Sequence, residues 1–178
     1  MPSASVPPPA SPVAQAASPC EGEQLTYMPL TMCGIPGWAD DSPPGMDGQG
    51  LDIQLPAQMA TIGIGTIPYA GFPMGSAAAA QVDSQVGYAY EPGTTVQVVF
   101  DMPLQISGHD AWRRTCLLTG TGWGTIYTTI VIVDLDGAVD AKGDVIDGWG
   151  FFRGMYPASR PDLGEAEEAA LSTLAVTP

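Results

Sequence analysis

Thr125-Ile126-Tyr127-Thr128-Thr129-Ile130-Val131-Ile132-Val133-Asp134 carries a β-branched or aromatic side chain at every position up to its closing aspartate. Such side chains lose rotamer freedom in a helix and pack well on a pleated surface, so the run predicts a strand. Its two faces are equally apolar or β-branched, as in a strand covered on both sides. It therefore predicts the central strand of a layered β structure. On its N-terminal side Gly120-Thr121-Gly122-Trp123-Gly124 reads as a turn or bulge beside a packed Trp123. A phosphate loop is excluded there, because it needs a following helix and no Lys-Ser/Thr pair closes the segment. On the C-terminal side, turns at Asp134-Leu135-Asp136-Gly137 and Lys142-Gly143-Asp144 lead into a last strand, Val145 to Arg153.

Further from this run, Leu51-Asp52-Ile53-Gln54-Leu55 alternates strictly between apolar and polar, the pattern of a half-buried strand. Thr61 to Ile67, Val86 to Tyr90 and Thr95 to Phe100 predict further strands, the last with Val96, Val98 and Phe100 on one face. Residues 25–47 hold Pro29, Pro36, Pro43 and Pro44 and read as irregular structure packed by its own apolar side chains. Pro161-Asp162 followed by Glu165, Glu167 and Glu168 marks a helix start, with Leu163, Ala170, Leu171 and Leu174 as its apolar side. It is the one helix of note that the sequence predicts. The expectation is an all-β domain, an antiparallel sandwich or jelly-roll-like barrel, over residues 25–160. A Pro/Ala/Ser-rich arm over 1–24 precedes it, and a short C-terminal helix and tail over 161–178 follow.

Composition agrees with many short strands and turns: Gly (22) and Pro (18) are abundant in 178 residues, while charged residues make up only 13%. That is too little charge for the wet face of a helix bundle. The net charge of −14 comes from a shortage of cations, since no Lys or Arg precedes Arg113. A phosphate-binding surface needs a basic stripe, so nucleic acid and anionic membranes are disfavoured as partners; the acidity either serves solubility by keeping copies apart or complements a positively charged protein. The N-terminus lacks the basic and apolar regions of a secretory signal, and no apolar run reaches the ~18–20 residues of a membrane span. Cys20, Cys33 and Cys116 are odd in number and read as free thiols in a reducing compartment.

The candidate chemistry is sparse. Asp134, Asp136, Asp140, Asp144 and Asp147 could offer carboxylates to Ca²⁺ on a turning loop, but glycine and glutamate do not fall where a helix–loop–helix calcium site places them. The alternative is a polar hairpin loop whose aspartates cap turns. His109 is the only histidine; Ser107 and Asp110 beside it would form a nucleophilic device only if the fold brought the three together. No catalytic constellation and no cofactor site is expected. Trp112-Arg113-Arg114 is the one basic patch: arginine and tryptophan are frequent anchors at interfaces, and pairing within the chain is the other use of the arginines. Six prolines fall in the first 19 residues, and Pro7, Pro8, Pro9 and Pro12 are candidate partner contacts of an extended arm.

The arm through Pro19, the Ala77–Ala80 segment and Gly- and Thr-rich strands such as Pro92-Gly93-Thr94-Thr95-Val96-Gln97-Val98 together resemble the small decoration, or cement, proteins of tailed-phage heads. The resemblance implies a structural virion protein that stabilises a capsid shell. Its partner would be the major capsid protein or another shell subunit, and its assembly a homo-oligomer, often a trimer. It would be made in the host cytoplasm and sit on the capsid surface. Two alternatives accompany it. One is a minor capsid or tail component; the other is a calcium-dependent carbohydrate-binding module using the aspartate loop with Trp123 and Trp149 as sugar platforms.

Overall fold

The computed structural model describes residues 20–40, 50–55, 58–68, 71–89, 92–120, 122 and 124–177. The Thr125–Asp134 run lies in strand β8 (Gly124–Asp134), and from Ile126 onward its apolar residues are buried on both faces, Tyr127 alone being half-buried. It pairs antiparallel with β7 (His109–Gly120) on one side and β9 (Gly148–Pro157) on the other. Beyond β9 come β5 (Ala60–Pro68), β4 (Gly50–Leu55) and β3 (Ala39–Asp40); beyond β7 comes β6 (Thr95–Ile106). The order β3-β4-β5-β9-β8-β7-β6 makes one seven-stranded sheet, antiparallel throughout. It is open, with β3 and β6 at its edges. A second sheet joins β1 (Gln24–Tyr27), β2 (Leu30–Cys33) and β10 (Ala175–Val176), again antiparallel. The expected all-β sandwich is thus the architecture observed, and the barrel alternative is not.

Each face of the large sheet has its own core. On one, the small sheet and helix α2 (Pro161–Leu171) cover Ile62, Ile64, Val131, Val133 and Phe152, with Leu30 and Met32 from β2 and Leu171 from α2. On the other, helix α1 (Met74–Ala89) lays Ala77, Ala78 and Val82 over Cys116, Leu118, Ile130, Ile132 and Trp149. Each fully buried Leu, Ile or Phe withdrawn from water contributes roughly 1.5–3 kcal/mol, so the two cores hold the layers together.

Four expectations are corrected. Val86 is in α1, not in a strand: Met74, Ala78, Val82 and Val86 recur every fourth residue and make one helical face. The segment after Gln24 forms the β1–β2 hairpin, with a cis Met28–Pro29 bond at its turn. Cys20 and Cys33 are joined in a disulfide with Cα atoms 5.3 Å apart, which ties the start of the described chain to β2. Cys116 remains a free, buried thiol. Finally, Val96, Val98 and Phe100 do not share a face. A bulge between Val98 and Phe100 inserts one residue and reverses the alternation. The expected C-terminal helix is present, with Leu163, Ala170 and Leu171 buried as predicted.

Candidate partner-binding edge

Side chains alternate along β7, so Trp112 and Arg114 face α1 while Arg113 and Thr115 face α2. The Trp-Arg-Arg patch is therefore split between two faces. On the α1 side Asp101 of β6 gathers two of its members: Trp112 Nε1 donates to Asp101 Oδ1 at 2.6 Å and Arg114 Nη1 to Asp101 Oδ2 at 3.0 Å. These groups, with Pro73 and the first turns of α1, line an open cleft of about 620 Å³. On the other side the Arg113 guanidinium forks onto both carboxylate oxygens of Glu168. It also lies over the Phe100 ring, 5.1 Å from the centroid. Both arginines are thus paired within the chain.

β6 itself is the least ordinary surface. It is a twelve-residue edge strand held by β7 on one side, and no described strand pairs with its other side. Val96, Val98, Val99, Phe100 and Met102 are between 39% and 53% exposed. The bulge turns Val96 and Val98 toward the α1 side and Phe100 and Met102 toward the α2 side, so the edge is apolar on both faces. At its far end a two-residue turn, Ser107 (φ 53) and Gly108 (φ 86), joins β6 to β7. Two successive positive φ values give the tight turn whose twist matches a hairpin, and Gly108 adopts one of them without strain. Free edges of this length are usually shortened, charged or covered, because they recruit other strands. Here the one charge along the strand, Asp101, is already neutralised.

Behind this edge lies a buried acid that the sequence did not single out. Glu167 of α2 is only 2% exposed, and its Oε2 has no hydrogen-bond partner among the described residues. The carboxyl occupies a slot above Gly154 of β9, where a Cβ would collide with it. Burial pushes its pKa up to about 7, against the lowering effect of a hydrogen bond with Thr129 and of the Arg113 charge. Beside it Tyr156 stacks on Tyr127 with centroids 5.3 Å apart, and burial followed by the Glu167 charge pushes Tyr156 up to about 12.

The remaining candidates are dispersed. Pro7, Pro8, Pro9 and Pro12 lie outside the described residues, as does Trp123. Asp134 Oδ1 accepts from the Asp136 backbone N–H, and Asp140 Oδ1 accepts from those of Lys142 and Asp144, so these aspartates cap turns. The backbone bonds around Asp140 hold its carboxyl below the usual range. Among the described residues no group of three or more His, Cys, Asp or Glu side chains is placed to hold a metal ion. Trp149 is buried in the core under α1, which removes it as a sugar platform. Ser107 Oγ accepts from the Val176 N–H, His109 Nδ1 meets the Asp134 carbonyl at 2.9 Å, and Asp110 accepts from Gln105, so the three form no triad. His109 and Cys116 stand on opposite faces of β7, which rules out a thiol–imidazole pair. No described helix is long and apolar enough to cross a membrane.

No protein-family model matches this chain, and no curated protein matches it. Solved structures similar in fold include the following two. One is the crystal structure of PA94, a protein of unknown function from Pseudomonas aeruginosa, at 17% identity and a TM-score of 0.52, covering 84% of this chain and 98% of that one. The other is the solution structure of the cyanobacterial PsbP (CyanoP) from Synechocystis, at 10% identity and a TM-score of 0.57, covering 94% and 97%. At such identities the likeness is one of fold.

Proposed function

We propose that this chain is a non-catalytic structural protein that docks on a partner protein through the β6 edge. An extended segment of the partner would add to the sheet there. The observation that carries the reading is the long, two-faced apolar edge with which no further described strand pairs. Charge selects the partner. The net charge is −14, and all four arginines already pair with carboxylates of the chain itself. A second copy would bring the same charge to the edge, whereas a cationic protein complements it. The setting implied by the sequence resemblance is a tailed-phage shell, with the chain as a decoration protein and a shell subunit as its partner. A trimer on a symmetry axis would present three such edges, and three weak contacts made together hold as one strong one.

The test is co-sedimentation of the purified full-length chain with purified phage shells stripped of decoration, across a salt series. Three forms are compared: wild type, V98K/V99K, and a chain lacking residues 1–19, which keeps Cys20 and the disulfide. Wild type should bind stoichiometrically and weaken with salt, while V98K/V99K binds at least roughly tenfold more weakly, since lysine is what natural edges use to refuse a strand. Both lysines sit on exposed positions and should leave stability within about 0.5 kcal/mol. Undiminished binding by V98K/V99K would overturn the edge reading. Failure of wild type to bind any shell would overturn the setting.

A further inference from the structure

Three side chains, Thr129, Thr115 and Arg113, connect the buried acid of α2 to the proposed docking edge. Arg113 Nε donates to Thr115 Oγ1 at 3.3 Å, and Thr115 Oγ1 lies 3.2 Å from Thr129 Oγ1. Thr129 in turn hydrogen-bonds the Glu167 carboxyl. The direction of this relay is fixed at one end, because arginine can only donate. Thr115 therefore accepts from Arg113, while either threonine hydroxyl can donate to the other. The same Arg113 rests on Phe100 of β6 and is forked by Glu168, the neighbour of Glu167 on α2. Thr115, Thr129 and Glu167 are all buried, so the relay works out of reach of bulk water.

We propose that Glu167 is a proton-operated latch on the β6 edge: neutral, it lets α2 seat on the sheet and Arg113 brace Phe100; charged, it loosens both. The physical reason is the slot. An ionised carboxylate there would have one oxygen without a partner, above Gly154 and beside the stacked tyrosines. A buried, half-satisfied charge is relieved by moving the helix that carries it. The ionisable groups around it are Glu168 on α2, Arg113 on β7, Tyr127 on β8 and Tyr156 on β9. Glu168 opposes the charge, and Arg113, already shared with Glu168, only partly offsets it. When α2 lifts, Glu168 leaves with it, and Arg113 loses the carboxylate that positions it over Phe100.

This inference concerns the edge read above as the docking surface, but its readout needs no partner, so failure of docking and failure of the latch are separable. Amide hydrogen exchange on the full-length chain, corrected for intrinsic rates, would be compared at about pH 5.5 and about pH 8.5, on either side of the expected titration. In wild type, residues 161–171 and 98–102 should lose protection at the higher pH by roughly tenfold or more. E167Q should hold both segments equally protected at the two values. E168Q, which removes the carboxylate that forks Arg113, should keep the response of α2 and lose that of β6. Carboxyl-carbon NMR of wild type gives a measure independent of any variant, with Glu167 titrating near neutrality. Exchange that ignores pH in wild type, an E167Q chain that responds like wild type, or a β6 response intact in E168Q would each overturn the latch.

Discussion

Replacing Glu167 by Gln should change how stability depends on pH. The carboxyl has a folded-state pKa of about 7 against an ordinary value of 4.5. An acid whose pKa is raised by folding binds its proton more tightly in the native state. Its stabilising effect is thus fully present below the unfolded value and is lost as pH rises from there through the folded value. At about 1.4 kcal/mol per pH unit, the gap between the two values corresponds to about 3 kcal/mol lost by the wild type between pH 4.5 and a little above 7. Gln keeps the shape and cannot ionise. Its amide brings a constant cost of its own, so the informative quantity is the slope, not the offset. Other carboxylates act in the opposite sense: Asp162, whose carboxyl is held down by a hydrogen bond from Arg160, adds stability as pH rises. Such contributions are common to both proteins and cancel in their difference. Urea unfolding of wild type and E167Q from about pH 4 to about pH 9 should give curves that diverge steadily. For a urea dependence near 2 kcal/mol per molar, the midpoint of E167Q should gain roughly 1.5 M on wild type across that range. Parallel profiles would refute the argument, because they would mean that the carboxyl is no harder to charge in the fold than in water.

Two further predictions bear on the same architecture. Gly154→Ala places a methyl in the carboxyl's slot and should cost about 1–3 kcal/mol of unfolding free energy, a cost reduced when Glu167 is also replaced by Ala. Replacing Cys20 and Cys33 by Ser opens a loop spanning 13 positions and should lower stability by about 3 kcal/mol in urea unfolding, with reductant having the same effect on wild type and none on the variant.

What could be read from the residues alone follows physical rules, and so do the failures. β8 was legible because every residue from Thr125 to Val133 favours a pleated surface and no competing period runs through it. The C-terminal helix was legible because Pro161, the early acids and the leucine spacing agree. α1 was not, because Asp83 is the sole charge in its sixteen residues. A helix without charged positions shows no polar face against which its apolar spacing stands out, and Val86-Gly87-Tyr88 locally imitates a strand. The bulge in β6 has no residue signature in Val98-Val99-Phe100, so the reversal of face it causes could come only from the pairing with β7. The disulfide failed for a different reason. Three cysteines allow three pairs, and spacing carries no information about which two the fold brings within reach.

The candidate site divides the same way. Trp112-Arg113-Arg114 stood out because it holds the first cations in a long acidic chain, yet sequence order could not show that strand alternation assigns its members to different layers. Glu167 did carry a signal. It lies four residues after Leu163 and four before Leu171, at the centre of the stripe that α2 buries. An acid in that position must either break the stripe or be buried with it. The strand beneath supplies the deciding feature: Gly154, flanked by Arg153 and Met155 whose side chains point to the other layer, leaves an opening of one side chain's width. A glycine on a core strand opposite an acid on a helix stripe is a complementary pair, and neither residue is explained without the other. That pairing is why the loss of either one is expected to act through the same few atoms, and why the pH response is placed at Glu167 and not in the many exposed carboxylates that give the chain its charge.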